Sequence, residues 1–241
     1  MPQLFLRKYI VASTPAPLDE RDVKWGVKDL LKFVGVFVAA LIALILVGPR
    51  LDISPSGREL MYFLLAQHVA AVLALLWFNS RGLWSGLEYF GLKWRHFRMY
   101  FLTGVVWGLI CRFVPSLVVL LITQVSPSSW QSNNPLRGLE LTGVAFVPLV
   151  LDIVVIGPLV EEIFFRGLLY GLLRKKLGVW KAVFISSALF GVAHGFGPIG
   201  LVTALAGVGL ALVYENTGSL APAVIAHMFG NLLAVFLVLL N

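Results

Sequence analysis

Long apolar runs separated by short polar or aromatic breaks dominate the chain. The first clear run, 30–48, stops at Gly48-Pro49, and as a helix it rises about 28 Å, enough to cross a bilayer core. Further runs cover 59–78, 98–124, 178–195, 199–215 and 220–240. Residues 79–97 mix Trp, Tyr and Phe with Arg, Lys and His, a composition suited to the membrane–water interface. Residues 125–138 are the most polar internal stretch and read as a loop. Residues 139–176 are apolar but interrupted at Pro148 and Gly157-Pro158, so they predict two helices or one bent one. The pattern predicts an all-α, polytopic transmembrane helical bundle of seven or eight spans. Residues 30–241 form a single transmembrane domain, and 1–29 an exposed N-terminal tail.

Composition narrows the class. The 241 residues are 59% hydrophobic and only 13% charged, against about a quarter charged in soluble domains. A soluble globular enzyme, a disordered tail and a fibrous protein are excluded. The formal net charge is +7, yet the basic residues sit in short loops between apolar runs. They therefore read as topology signals and anionic-lipid contacts rather than a nucleic-acid surface. Arg7, Lys8, Arg21, Lys24, Lys28 and Lys32 place the N-terminus in the cytoplasm, in a multi-pass integral membrane protein. No cleavable signal peptide is expected, because Arg7 and Lys8 interrupt the first apolar stretch. The single cysteine, Cys111, permits no intrachain disulfide. Small-xxx-small spacings at Gly104/Gly108, Gly167/Gly171 and Gly191/Gly195 predict close helix crossings.

Ionisable groups inside the apolar runs are costly, so each is a candidate for function. His68, alone on an apolar helix, reads as a packed or interfacial histidine. Arg112 and Asp152 read as a buried ion pair between helices. Glu215, before Asn216-Thr217-Gly218, reads as a helix end near water.

The remaining groups cluster between 157 and 231. In Gly157-Pro158-Leu159-Val160-Glu161-Glu162-Ile163-Phe164-Phe165-Arg166-Gly167, Pro158 suits the first turn of a helix. Glu161 and Glu162 would then lie in that turn, at the positive end of the helix dipole. Glu162 and Arg166 are four apart on one face, so Arg166 neutralises Glu162. Glu161 points about 100° away. It stays free in a low-dielectric setting, where a carboxylate can act as a general base. His194 is surrounded by Gly191, Gly195, Gly197 and Gly200, which leave room for a water or substrate. His227 and Asn231 share one helix face. Two donors aimed at one point would make an oxyanion hole; the same pair could also glue helices together.

These residues resemble the CPBP family of CAAX prenyl endopeptidases and bacteriocin-processing enzymes, often labelled abortive-infection proteins in bacteria. The family's EExxxR matches Glu161-Glu162 to Arg166, FxxxH matches Phe190 to His194, and HxxxN matches His227 to Asn231. All three motifs occur in order over residues 161–231. The stretch 88–92 (EYFGL) is also similar to the family's entry to that region. The resemblance implies an eight-helix intramembrane fold and a glutamate-type protease. In it, Glu161 and His194 would activate a water. His227 and Asn231 would hold the oxyanion, with Glu162 and Arg166 orienting the site. Substrates would be lipidated or membrane-associated peptides, including prenylated CAAX-type chains.

No resident cofactor is expected. Zinc is a weaker alternative, because Glu161, His194 and His227 are suitable ligand types, but no HExxH pair is present. The non-enzyme alternative is a membrane interaction or immunity protein of the same fold that uses the polar cluster as a buried network. A transporter is disfavoured, because the Pro148 and Pro158 breaks fall in one half of the chain, with Pro115 elsewhere.

Overall fold

The computed structural model describes residues 26–47, 68–69, 71–72, 91–94, 96–124 and 146–239. The predicted tail residues 1–25, the loop 125–138 and most of the predicted span 59–78 lie outside these residues. Every described element is helical, and no strand occurs among them.

Helix α1 spans Val27–Val47 and starts inside the predicted tail. The reason is a local cap. The Gly26 N–H donates to Asp29 Oδ2 at 3.0 Å, so a side chain in the charged first turn reaches back to the helix entry. Helix α2 spans Phe97–Thr123 and carries Pro115 in its interior. Helix α4 spans Val179–Ala193, α5 Pro198–Thr217 and α6 Leu220–Leu239. Each lies within a few residues of its predicted run.

The largest correction falls between α2 and α4. Residues 146–177 are one uninterrupted helical run, here α3. It consists of Phe146–Leu151, a wide π-turn Asp152–Ile156, Gly157–Glu162, a second π segment Ile163–Tyr170, and Gly171–Leu177. Pro158 does not start a helix. The run passes through it because the preceding turn widens, with Gly157 N–H bonded to Asp152 O, five residues back. Glu161 and Glu162 therefore sit mid-helix, without a helix N-terminus beneath them.

Three helices are long and apolar enough to cross a membrane among the described residues: Phe97–Ile122 within α2, Pro198–Thr217, and Leu220–Leu237 within α6. Their outer faces are apolar. Phe101, Leu102, Val106, Phe113, Leu121 and Ile122 of α2 are all exposed. Such a continuous apolar exterior suits lipid and not water.

Glycines set the helix crossings. A Cβ on Gly104 would lie 2.6 Å from Ile225 Cβ, and one on Gly108 would lie 2.9 Å from Ala226 O. α2 and α6 therefore touch nearly backbone to backbone. A Cβ on Gly191 would lie 2.5 Å from Gly200 O, joining α4 to α5 in the same way. Gly191 and Gly200 are thus filled contacts and not the open room expected around His194. Gly195 and Gly197 do lie in open space, with φ +108 and +88, and they form the turn that carries His194.

Glu215 lies in the last turn of α5 but is largely buried. It takes Arg174 Nε and Nη2 at 2.7 and 2.8 Å and the Tyr170 hydroxyl at 2.7 Å. This bidentate pair ties the basic end of α3 to α5.

Candidate active site

Glu161 is the point on which three helical segments and one short described stretch converge. His194 Nε2, at the C-terminal end of α4, is 3.5 Å from Glu161 Oε2. His227 Nε2, on α6, is 3.8 Å from the same oxygen. His68 Nε2 approaches the other oxygen, Oε1, at 3.7 Å. The structure thus brings together Glu161, His194 and His227, as the motifs anticipate, and adds His68.

Each histidine is aimed through its other nitrogen. His194 Nδ1 donates to the Phe190 carbonyl at 2.8 Å, within the FxxxH unit. His227 Nδ1 meets Glu162 Oε1 at 2.9 Å. His68 Nδ1 meets both oxygens of Asp152 at 2.9 Å. Carbonyl and carboxylate oxygens only accept, so Nδ1 is the donor in every case. All three Nε2 atoms then face one carboxylate.

Glu162 and Arg166 form the foundation. Both are fully buried, and Arg166 Nη1 donates to Glu162 Oε1 at 2.7 Å, the same oxygen that receives His227. Arg166 Nη2 also donates to the Gly207 carbonyl on α5 at 3.2 Å. The guanidinium lies 4.3 Å from the Phe190 ring centroid. Phe190 in turn packs edge-on to His194 and His227, with centroids 4.5 and 5.6 Å away. One aromatic side chain thus fixes the spacing of the two imidazoles and covers the ion pair.

Asn231 sits differently. Its Nδ2 donates to the Ile153 carbonyl at 2.8 Å. In the wide turn this carbonyl would pair with the N–H five residues on, at Pro158, which has none. Asn231 supplies the missing donor with one of its two amide hydrogens.

Glu161 Oε2 is buried and accepts no hydrogen bond from the protein. Its distances to His194 and His227 are longer than a direct hydrogen bond, which leaves its lone pairs open to a water. The His194 side chain is the most open of the three, at 32% exposure, so the site is approached from its side. Among the described residues, no group of three or more His, Cys, Asp or Glu side chains is placed to hold a metal ion.

Two sequence readings are corrected here. Asp152 pairs with His68 and not with Arg112. His68 is no isolated packing residue, because both its nitrogens face carboxylates. Neither link has a spacing signal. His68 and Asp152 are 84 residues apart, and Asp152 reaches the site only through the wide turn of α3.

Residues 143–233 match the family model described as type II CAAX prenyl endopeptidase Rce1-like. The match contains all three motifs. The chain is also 32% identical over 92 residues to the Bacillus subtilis (strain 168) protein named "Putative membrane peptidase YdiL". These matches support the CPBP family. The aligned part is 38% of the chain and 38% of the curated relative's length. No solved structure matches the chain. Within the matched residues lie Glu161, Glu162, Arg166, His194, His227 and Asn231; His68 lies outside them.

Proposed function

We propose that the protein is a multi-pass intramembrane endopeptidase with a cytoplasmic N-terminus. In this reading Glu161 and His194 activate a water that attacks the scissile carbonyl. The observation that carries it is Glu161 Oε2, buried without a donor and faced by two imidazole nitrogens. A water between Glu161 Oε2 and His194 Nε2 gives its proton to one of these two bases as its oxygen attacks, and that base passes the proton to the leaving amine as the C–N bond breaks. His227, held through its Nδ1–H by Glu162 and protonated at Nε2 as well, donates to the developing oxyanion together with the remaining amide hydrogen of Asn231. Glu162 and Arg166 orient His227 and bear no charge transfer themselves. No cofactor takes part.

The substrate class follows from the setting. Phe101, Leu102 and Val106 leave an apolar exterior on α2, so a chain arriving from lipid needs no aqueous route. A lipidated or membrane-associated peptide, including a prenylated CAAX-type chain, fits that approach.

The test is cleavage of a farnesylated CAAX-type peptide by the protein in proteoliposomes. Glu161→Gln keeps shape and removes the base, and it is expected to lower the rate by about 10²- to 10⁴-fold. A Glu161→Gln protein that retains wild-type cleavage refutes the reading. If it also retains its biological effect, an interaction or immunity role of the buried network replaces it.

A further inference from the structure

His68 and Asp152 form a buried polar pair that the proposed chemistry leaves unused. Asp152 is 1% exposed and His68 is 7% exposed, both deep in an apolar surround. A buried carboxylate and imidazole are costly there unless each satisfies the other. Both Asp152 oxygens lie 2.9 Å from His68 Nδ1, so the ring plane is fixed and Nε2 is aimed. It is aimed at Glu161 Oε1, at 3.7 Å. The other Glu161 oxygen is left facing His194 and His227.

A second observation is independent of the charges. A Cβ added to Gly157 would lie 3.1 Å from His68 Cε1 and 3.2 Å from His68 Nε2. The imidazole thus rests directly on the backbone of α3, one helical turn before Glu161. A methyl group there would press the ring away from its present seat.

We propose that His68, aimed by Asp152, is a positioning residue for Glu161. With a proton on each ring nitrogen, it attracts Oε1 as an ion pair across 3.7 Å and so turns Oε2 toward His194 and His227. A ring between two carboxylates satisfies both only with a proton on each nitrogen. His68 touches no reacting atom; it acts through Glu161. This inference rests on the protease reading above.

The deciding measurement is the ¹⁵N spectrum of histidine-labelled protein in nanodiscs at neutral pH, with His68 assigned by its loss in His68→Phe. Both His68 nitrogens are expected to carry protons. An unprotonated Nε2 on His68 overturns the proposal, whatever the activity. A bound metal ion in the purified protein, seen by elemental analysis and coordinated by Nε2, overturns it as well. A kinetic arm uses the farnesylated CAAX-type peptide. His68→Phe and Gly157→Ala are each expected to lower kcat by about 100-fold, with KM little changed. In a purely structural role, loss of folded protein would lower the active fraction and leave kcat per folded site unaltered. If Glu161→Gln is inactive while folded His68→Phe keeps its kcat, only the positioning role fails. If Glu161→Gln is active, the protease reading itself fails.

Discussion

Asn231 Nδ2 donates at 2.8 Å to the carbonyl of Ile153, 78 residues away in the chain. The bond repairs the backbone of α3 where Pro158 withholds a donor. The wide turn pairs Gly157 with Asp152 O, and the next such link would require an N–H from Pro158. An unpaired carbonyl in an apolar interior is expensive, so a side chain from α6 fills the role.

This relationship makes a sharp prediction. Asn231→Leu is expected to destabilise the fold by about 1–3 kcal/mol, read as a lowered unfolding midpoint in detergent. Pro158→Ala restores an N–H that can reach Ile153 or Val154. In that background Asn231→Leu should cost less, with a coupling of about 0.5–3 kcal/mol. Equal costs in the two backgrounds would mean that Asn231 is not standing in for the proline N–H.

The buried Glu162–Arg166 pair yields a second. Arg166→Ala leaves Glu162 with His227 alone in a fully buried setting. Breaking such a pair costs about 3–5 kcal/mol. Arg166→Lys should fail nearly as badly, because one ammonium cannot reach Glu162 and the Gly207 carbonyl while also covering the Phe190 ring. The check is the yield of monodisperse protein and its thermal midpoint. A lysine variant with wild-type stability would show that the planar fork is not what the site needs.

How much of this was readable in advance depends on the distance over which each signal acts. The Glu162–Arg166 bond follows from a spacing of four on any helix, and the helices ending at 193, 217 and 239 follow to within two residues from hydropathy alone. The His68–Asp152–Glu161 chain was hidden by its geometry. Asp152 and Glu161 are nine residues apart, which on a regular helix places them on opposite faces. The wide turn at Asp152–Ile156 takes up about one extra residue, roughly 100° of rotation, and swings Asp152 toward the Glu161 side. Nothing in a hydropathy pattern announces such a turn; Pro158 was its one trace, and it read as a helix start. Asn231 was equally opaque in a different way. Its partner is a backbone carbonyl, which has no residue type to search for.

The α4–α5 crossing gives a third prediction. Gly191→Ala places a methyl group 2.5 Å from the Gly200 carbonyl and 2.6 Å from Ala204 Cβ. The helices must separate, and His194, one turn further along α4, moves with them. Activity and stability should both fall, stability by about 1–3 kcal/mol as for other overpacked sites. Gly195→Ala meets no atom within 4 Å but sits at φ +108, so its cost is backbone strain in the turn that carries His194. Cleavage of the farnesylated peptide alongside the thermal midpoint separates the two effects. A Gly191→Ala protein with unaltered stability would rule out the tight crossing.

The last prediction concerns metal. His194 and His227 both turn Nε2 to Glu161 Oε2, at 3.5 and 3.8 Å. Both distances are longer than a direct hydrogen bond, and a water seated against this group can donate its two O–H groups to Glu161 Oε2 and His194 Nε2. On this account nothing in the reaction needs a Lewis acid, because Glu161 and His194 together take the proton that a metal would otherwise acidify. Incubation with 1,10-phenanthroline or EDTA, followed by gel filtration, should leave cleavage of the farnesylated peptide unchanged. Loss of activity that zinc alone restores would reverse the assignment. Glu161, His194 and His227 would then be ligands, and Asp152, Glu162 and the Phe190 carbonyl would be the groups that aim histidines at an ion.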